Sequence, residues 1–206
     1  VVRCFEDVDV VHVDGTIGAA RDIETINLEL IFADLEVLER RIAKTQKLVR
    51  ADKKYAGELQ FLESLKAHLE EGKSARSYPF TEDELEMLGE TPMLSNKPVI
   101  YAANMCEEDF MGGYENNVQY QAVLEIATAE HAAVLPICAK LEEEISDMTD
   151  EEKKEFLAEL HLEESGLSRI IREGYALLGL ISYLTAGEQE VRAWTITKGT
   201  KAPKAA

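Results

Sequence analysis

Two long segments near the start of the chain place apolar residues on one face of a helix. In the first segment the apolar residues recur at alternating steps of three and four, which is the spacing of a heptad seam. They are Leu28, Ile31, Leu35, Leu38, Ile42 and Val49, with Thr45 in the one polar position. The second series is Tyr55, Leu59, Leu62, Leu65 and Leu69. The pattern predicts a helix capped by Asp22, a polar turn at 50–54, and a second helix that ends at Gly72.

Two helices joined by a short turn form an antiparallel helical hairpin, and two interpretations of this hairpin remain open. It is either an ordinary bundle pair packed on a core or a projecting coiled-coil arm that contacts a partner. The seam is narrow and dense charge lies beside it, which favours the arm.

The apolar period changes after residue 97, where the chain predicts a strand, a helix and a second strand. Residues 98–103 form a compact apolar run, 118–131 follow a helical period, and 134–138 form a second apolar run. A strand–helix–strand unit of this length predicts two parallel strands with a right-handed crossover. Pro136 cannot donate to a neighbouring strand, so we expect it at an edge or a strand end.

Shorter signals place the remaining elements. Thr81 and Glu84 have the spacing of a capping box for a helix that runs to Leu88. A further helix begins at Thr149 or Asp150, another covers 167–180, and residues 183–185 and 191–196 predict a β-hairpin. The first residues, Val1 to Phe5, resemble the end of a buried strand with nothing to pair with, so we expect protein sequence upstream of them.

The composition allows a packed core and disfavours several classes of function. The 206 residues are 46% hydrophobic and carry a formal charge of −18, which repels a DNA backbone. The basic residues that do cluster are Arg40, Arg41, Lys44, Lys47, Arg50, Lys53 and Lys54. Three scattered cysteines, without CxxC spacing, predict neither a disulfide framework nor structural zinc. No membrane span or targeting segment is predicted, so we expect a cytoplasmic protein without membrane partners.

The candidate chemistry lies where the two predicted parallel strands end. The first strand is followed by Asn104-Met105-Cys106-Glu107 and the second by Cys138-Ala139-Lys140. Ligands of open parallel sheets bind beyond the carboxyl ends of the strands. The order resembles the base-recognition elements of GTPase-type domains, which usually contain Asn-Lys-x-Asp and Ser-Ala-Lys. The plain alternative is that Asn104 caps a turn and Glu107 is a surface acid.

The differences from the usual elements weaken selectivity for guanine. Guanine offers two adjacent donors that a well-placed Asp accepts together, whereas adenine presents an acceptor and one amine on the same edge. Glu107 is one methylene longer than Asp, so it loses the guanine geometry. The Asn104 amide can donate to N7 of adenine and accept from the N6 amine. Met105 supplies an apolar contact. We therefore predict ATP binding at least as readily as GTP binding.

Longer stretches resemble one family closely, the YchF-type Obg-like ATPases. The matching stretches are Val1 to Glu6, His12-Val13, Asp22 to Leu30, Asn104 to Glu107, Gly166 to Arg172, Thr185 to Gly187 and Val191 to Ile196. The resemblance implies an α/β P-loop GTPase-like parallel sheet with an inserted antiparallel coiled-coil hairpin, followed by the start of a ubiquitin-like TGS domain. It also implies ATP or GTP binding and hydrolysis with Mg²⁺ in the intact protein, and ribosome association.

Four segments follow from this resemblance. Residues 1–21 end the N-terminal part of a G domain, 22–97 form the helical insertion, 98–181 form its C-terminal half, and 182–206 begin the TGS domain. The predicted base-binding residues are Asn104, Met105, Glu107, Cys138, Ala139 and Lys140.

The family's phosphate loop and metal ligands would precede Val1, and no G-x-x-x-x-G-K-[ST] occurs in the chain. We therefore expect no catalytic residue, no metal site and no tightly bound nucleotide here. Two alternatives to the ATPase interpretation remain, namely a non-catalytic hairpin module that docks on a ribosome or protein partner, and an acidic scaffold without a ligand.

Overall fold

The computed structural model describes residues 1–7, 15–89, 91–188 and 190–201. Contacts divide the chain into two compact units, one of Gly18–Val99 and one of Val1–Ile17 with Ile100–Ala206. His12 and Val13, which contributed to the family resemblance, lie outside the described residues, as do 202–206 of the predicted TGS segment. The four predicted segments stay a prediction.

The helical unit begins with the long helix α1 (Ala19–Ala51), which a single 3₁₀ turn connects to α2 (Ala56–Glu70). The prediction of two helices joined at 50–54 is confirmed. The predicted cap is wrong, because Gly18 is the N-cap residue and Asp22 lies inside the first turn. There its carboxylate still favours the helix, since negative charge is stabilised near a helix N-terminus. Gly72 has a φ of +76° just beyond α2, a conformation that glycine adopts readily.

The two helices run in opposite directions, because contacts late in α1 match contacts early in α2. Arg41 pairs with Glu58, Glu39 pairs with Lys66, and Asn27 accepts from Arg76 beyond α2. The predicted seam faces inward, and its buried members pack against α2. The buried core residues are Ile31, Leu38, Ile42, Phe61, Leu62, Leu65 and Leu69. Supercoiled coiled-coil packing stays a prediction.

A buried carboxylate interrupts this apolar face. Asp34 is fully buried, and its two oxygens accept from the backbone N–H groups of Leu94 and Ser95 at 2.6 and 2.7 Å. The Ser95 hydroxyl also donates to Asp34 at 2.6 Å and accepts from the N–H of Ala75 at 3.0 Å. A buried charge is tolerated when it is hydrogen-bonded in this way. Asp34 therefore fastens the segment after α3 (Glu82–Leu88) to the helical pair.

The sheet unit contains three parallel strands in the order β1 (Val2–Arg3), β2 (Ile100–Asn104) and β3 (Ala133–Ile137). The predicted parallel strand–helix–strand unit is confirmed, with α5 (Val118–Ala129) between β2 and β3. Pro136 lies in β3, at an edge of this sheet, as expected. The expectation that the first strand has no partner is wrong, because Val2 and Arg3 pair with Ala103 and Asn104.

Short helices follow both strand ends, and the sequence patterns missed them. They are α4 (Glu107–Gly112) and α6 (Ala139–Ser146). The remaining elements are α7 (Asp150–Glu159), α8 (Gly166–Leu177), β4 (Leu180–Ala186) and β5 (Val191–Thr197). Strands β4 and β5 pair in antiparallel fashion, which confirms the predicted hairpin. No helix in the described parts of the chain is long and apolar enough to cross a bilayer.

Candidate functional site

The two predicted motifs meet at the carboxyl edge of the parallel sheet. Asn104, the last residue of β2, pairs with Ile137, the last residue of β3. The side-chain oxygen Oδ1 of Asn104 accepts from the backbone N–H of Ala139 at 2.9 Å. The N–H of Met105 donates to the carbonyl of Ile137 at 2.9 Å, which continues the pairing past the strand ends. The two motifs are therefore bound directly to each other.

An open cavity of about 790 Å³ lies at this edge. Five of the six predicted site residues line it. They are Asn104, Met105, Glu107, Ala139 and Lys140. The volume falls in the range of small-molecule sites.

Cys138 is the exception among the predicted residues. Its side chain is 2% exposed and does not line the cavity, and burial raises the pKa of its thiol. Residues 135–138 are all buried, without the alternation of a half-exposed strand, and Cys138 lies in this buried stretch as the N-cap residue of α6. A direct contact of the Cys138 side chain with a base is therefore withdrawn. Met105 is also only 2% exposed, so it presents a small part of its surface to the cavity.

The hydrogen bond to Ala139 determines how the Asn104 amide is oriented. A backbone N–H can only donate, so the atom that faces it must be the side-chain oxygen. The Asn104 Nδ2 group makes no hydrogen bond to any of the described residues, and this donor remains for a ligand. N7 of a purine is an acceptor in both adenine and guanine. The amide therefore fits a purine without choosing between the two.

Glu107 and Lys140 face each other from the two motifs. Lys140 Nζ lies 3.5 Å from Glu107 Oε2, and the two side chains are 68% and 46% exposed. An exposed pair of this kind contributes roughly 0–1 kcal/mol. A ligand can therefore separate the two groups at little cost, which leaves a carboxylate and an ammonium group available to it.

Several residues that line the cavity were not among the six predicted base-binding residues. They are Phe5, Glu6, Asp7, Cys106, Glu108, Met111 and Glu143. Phe5 and its neighbours follow β1, whose carboxyl end lies at the same sheet edge, and this rule of parallel sheets was the signal that could have found them. Five of the lining side chains are carboxylates, whereas Lys140 is the one Lys or Arg among the described lining residues. Such a surface suits a neutral ring better than a polyphosphate.

A carboxylate behind the site holds the surrounding elements together. Glu142 of α6 accepts from the N–H groups of Gly166 and Leu167 at 2.6 and 3.1 Å, at the N-terminus of α8. A Cβ atom at position 166 would lie 2.9 Å from Glu142 Oε1, so a side chain there would displace the carboxylate from this position. Arg169 of α8 also donates to the Pro136 carbonyl at 3.3 Å. These contacts anchor β3 and α6, which carry one wall of the site.

Among the described residues there is no group of three or more His, Cys, Asp or Glu residues that could hold a metal ion. The phosphate-loop motif does not occur in the 206 residues.

Curated relatives align with the whole chain. The chain is 45% identical over 207 residues to a protein of Bacillus subtilis (strain 168) named "Ribosome-binding ATPase YchF". It is 48% identical to the protein of the same name from Haemophilus influenzae, and 38% identical to "Obg-like ATPase 1" of Gallus gallus. The alignments cover 100% of this chain but 56%, 56% and 52% of those proteins. The chain thus spans about half the length of the relatives it matches.

A solved structure and a family model agree with these relatives. "Structure of the Schizosaccharomyces pombe YchF GTPase" matches with a TM-score of 0.86 and 33% identity, covering 99% of this chain and 56% of that one. Residues 180–206 match the model YchF-GTPase_C, described as "Protein of unknown function (DUF933)". Sequence and structure together confirm the family resemblance, and identify the chain as a relative, along its whole length, of the YchF-type Obg-like ATPases.

Proposed function

We propose that this chain provides purine-base recognition in a ribosome-associated nucleotide-binding protein whose intact form binds and hydrolyses ATP. The observation that carries the proposal is the 2.9 Å hydrogen bond from Ala139 N–H to Asn104 Oδ1. It aims the Asn104 amide donor at a ligand in the cavity between the two motifs. The names of the relatives, "Ribosome-binding ATPase" and "Obg-like ATPase", support the wider assignment and a cytoplasmic location.

The proposed contacts assign a role to each side of the ring. Asn104 donates to N7, Ala139 lies against the ring edge through its backbone, and Lys140 covers the face. Glu107 meets the Watson–Crick edge of the base. A carboxylate one methylene longer than Asp does not hold the two adjacent guanine donors in the usual geometry. ATP is therefore bound at least as readily as GTP.

Hydrolysis requires groups that this part of the protein does not supply. Phosphoryl transfer depends on positioned phosphate contacts and Mg²⁺, which bring charge stabilisation to the γ-phosphate. The chain by itself is proposed to bind the base weakly and to release no phosphate. Mg²⁺ and tight ATP binding belong to the intact protein.

Ribosome association is proposed to involve the helical pair of α1 and α2 and the TGS segment. A purely non-catalytic interaction module is the weaker alternative, because it leaves the cavity and the bond between Asn104 and Ala139 without a role. An acidic scaffold without a ligand has the same weakness.

Ligand-observed NMR tests the base site directly, because saturation transfer detects weak ligands. We expect adenosine to receive saturation from the chain, and the Asn104→Ala variant to lose most of this signal. The matched control is Asn116→Ala, since Asn116 is an exposed asparagine outside the cavity. Equal adenosine signals for Asn104→Ala and the unmodified chain would overturn the base assignment.

A further inference from the structure

Asn117 does not line the cavity, but its side chain contacts two of the segments that form it. The oxygen Oδ1 caps α5, because it accepts from the N–H of Tyr120 at 2.9 Å. The nitrogen Nδ2 donates to the carbonyl of Cys4 at 2.9 Å and to the carboxylate of Asp109 at 2.7 Å. An amide group offers two donor hydrogens and one acceptor oxygen. Asn117 therefore makes three bonds at once, and only the first of them serves the helix cap.

The bond to Cys4 fixes the chain at the carboxyl end of β1. Cys4 directly follows β1, and its N–H donates to the carbonyl of Asn104 at 2.8 Å. Both backbone polar groups of Cys4 are therefore bonded, and Phe5, the next residue, lines the cavity. Asn104 in turn accepts from the N–H of Ala139 at 2.9 Å through its side chain. Hydrogen bonds thus run from Asn117 across the ends of all three parallel strands.

The bond to Asp109 holds the short helix α4 in place. This helix contributes Glu107, Glu108 and Met111 to the lining of the cavity. None of its six residues is buried, and its N-cap residue makes no side-chain cap. A stacked aromatic pair also joins α4 to the turn that follows it. Because a helix of this length is not stable without tertiary contacts, the bond from Asn117 directly restrains the wall that contains Glu107.

From these contacts we infer that Asn117 is a positioning residue of the base site, which holds the wall with Glu107 at a fixed place relative to the end of β1. The inference rests on the proposed base recognition and adds a residue that does not touch the base. A binding site needs its contacts fixed to within about 0.5 Å, and supporting hydrogen bonds provide this precision. The alternative is that Asn117 only caps α5, a role in which Asp and Ser serve as well as Asn.

Asn117→Asp separates the helix cap from the two other bonds. One carboxylate oxygen still accepts from the N–H of Tyr120, so the cap is retained. The second oxygen cannot donate, and it would face the Cys4 carbonyl and the Asp109 carboxylate, which repel it. Asn117→Ser also retains a capping oxygen, and it removes the amide donors without adding a charge. Both variants therefore release the wall of the cavity and spare α5.

Saturation-transfer NMR titration of the full chain measures adenosine affinity. We expect this affinity to fall about tenfold in Asn117→Asp, because a hydrogen bond to a charged group is replaced by repulsion. The loss in Asn117→Ser should be smaller, since no repulsion is added. Iodoacetamide should modify Cys106 faster in both variants, because Cys106 is the N-cap residue of the loosened α4. Amide hydrogen exchange at Tyr120 should be unchanged, because the cap of α5 is retained.

Asn116→Asp is the matched control, since it adds the same charge one residue away, on an exposed side chain that does not line the cavity. An adenosine affinity of both Asn117 variants equal to that of the control would overturn the inference. So would a loss of affinity accompanied by faster exchange at Tyr120, because Asn117 would then act only through the cap.

Failure of the base assignment gives a different result. In that case the unmodified chain would bind no adenosine, while Cys106 would still react faster in Asn117→Asp than in Asn116→Asp. The structural hold of Asn117 on α4 would then stand without a base to recognise. Equal Cys106 rates in these two variants would overturn that hold itself.

Discussion

Asn104 Oδ1 and the backbone N–H of Ala139 form a 2.9 Å hydrogen bond between residues that are 35 positions apart in sequence. It joins the end of β2 to the first residue of α6. The contact ties two strand ends together, and in the proposed function the amide N–H₂ group, which has no hydrogen-bond partner among the described residues, binds the base. Substitutions at Asn104 can separate these two roles.

Asn104→Asp is expected to retain the fold and to lose purine binding. An aspartate oxygen still accepts from Ala139 N–H, but the second oxygen would face the purine N7, which is also an acceptor. Loss of one hydrogen bond and this repulsion should weaken adenosine binding about tenfold or more. The measurement is saturation-transfer NMR, combined with thermal unfolding. Asn116→Asp is the control, and adenosine binding by Asn104→Asp at the level of this control would contradict the proposed contact.

Glu107→Asp is expected to shift base preference toward guanine. The shorter carboxylate can accept from both donors on the guanine edge, whereas it stays unfavourable opposite N1 of adenine. The ratio of guanosine to adenosine affinity should therefore rise. Glu143→Asp makes the same chemical change in another residue that lines the cavity and should leave the ratio unchanged. An equal ratio of guanosine to adenosine affinity in the two variants would show that Glu107 does not determine base preference.

Asp34→Asn is expected to loosen the segment after α3 and destabilise the helical unit by about 2 to 3 kcal/mol. An amide has only one acceptor oxygen, so its N–H₂ group would face a backbone N–H of Leu94 or Ser95. Amide hydrogen exchange at these two positions should accelerate, and the denaturation midpoint should fall. The control is Glu63→Gln, an acid-to-amide change on an exposed part of α2. If amide hydrogen exchange at Leu94 and Ser95 were unchanged in Asp34→Asn, the carboxylate would not be needed to hold this segment.

The three cysteines are expected to react in a defined order. Burial raises the pKa of Cys4 from 9.0 to about 11 and also raises the pKa of Cys138, whereas Cys106 is half-buried and lines the cavity. Iodoacetamide at pH 8 should therefore modify Cys106 first, and adenosine should slow this reaction. Peptide mass spectrometry measures the order. If Cys4 of the folded chain reacted as fast as Cys106, the burial of Cys4 would be contradicted.

The same pKa shift predicts how pH affects stability. The folded state holds the Cys4 proton more tightly than the unfolded chain, so this thiol contributes stability below pH 9. The contribution declines above pH 9 and is lost as the pH rises through about 11. A Cys4→Ala variant should lack this component of the alkaline unfolding profile.

Elements whose signals are local were predicted well. Thr81 with Glu84 and Thr149 with Glu152 form the reciprocal hydrogen bonds of a capping box, and the helices begin one residue later. Here every contact lies within four residues, so the pattern contains all the necessary information. The start of α1 was missed, because Gly18 caps it without a side-chain hydrogen bond and so leaves no chemical signal.

Contacts between residues far apart in the chain could not be predicted from local sequence patterns. Asp34 lies on the apolar face of α1, and its partners Leu94 and Ser95 are 60 and 61 positions away. Nothing in a helical period indicates that a carboxylate there will meet three donors. Similarly, Arg41 was grouped with the basic residues of the turn, although the structure uses it to bind Glu58 and Leu88.

For the candidate site, the sequence by itself determined the order of the motifs and their attachment to two parallel strands, because apolar runs, turns and spacing are properties of the chain. Only the tertiary structure decided that Asn104 Oδ1 is taken by Ala139, that Glu107 faces Lys140, and that Cys138 turns into the core. These outcomes depend on the register of β2 against β3. A shift of one residue would send each side chain to the opposite face, and no pattern within either strand records that register.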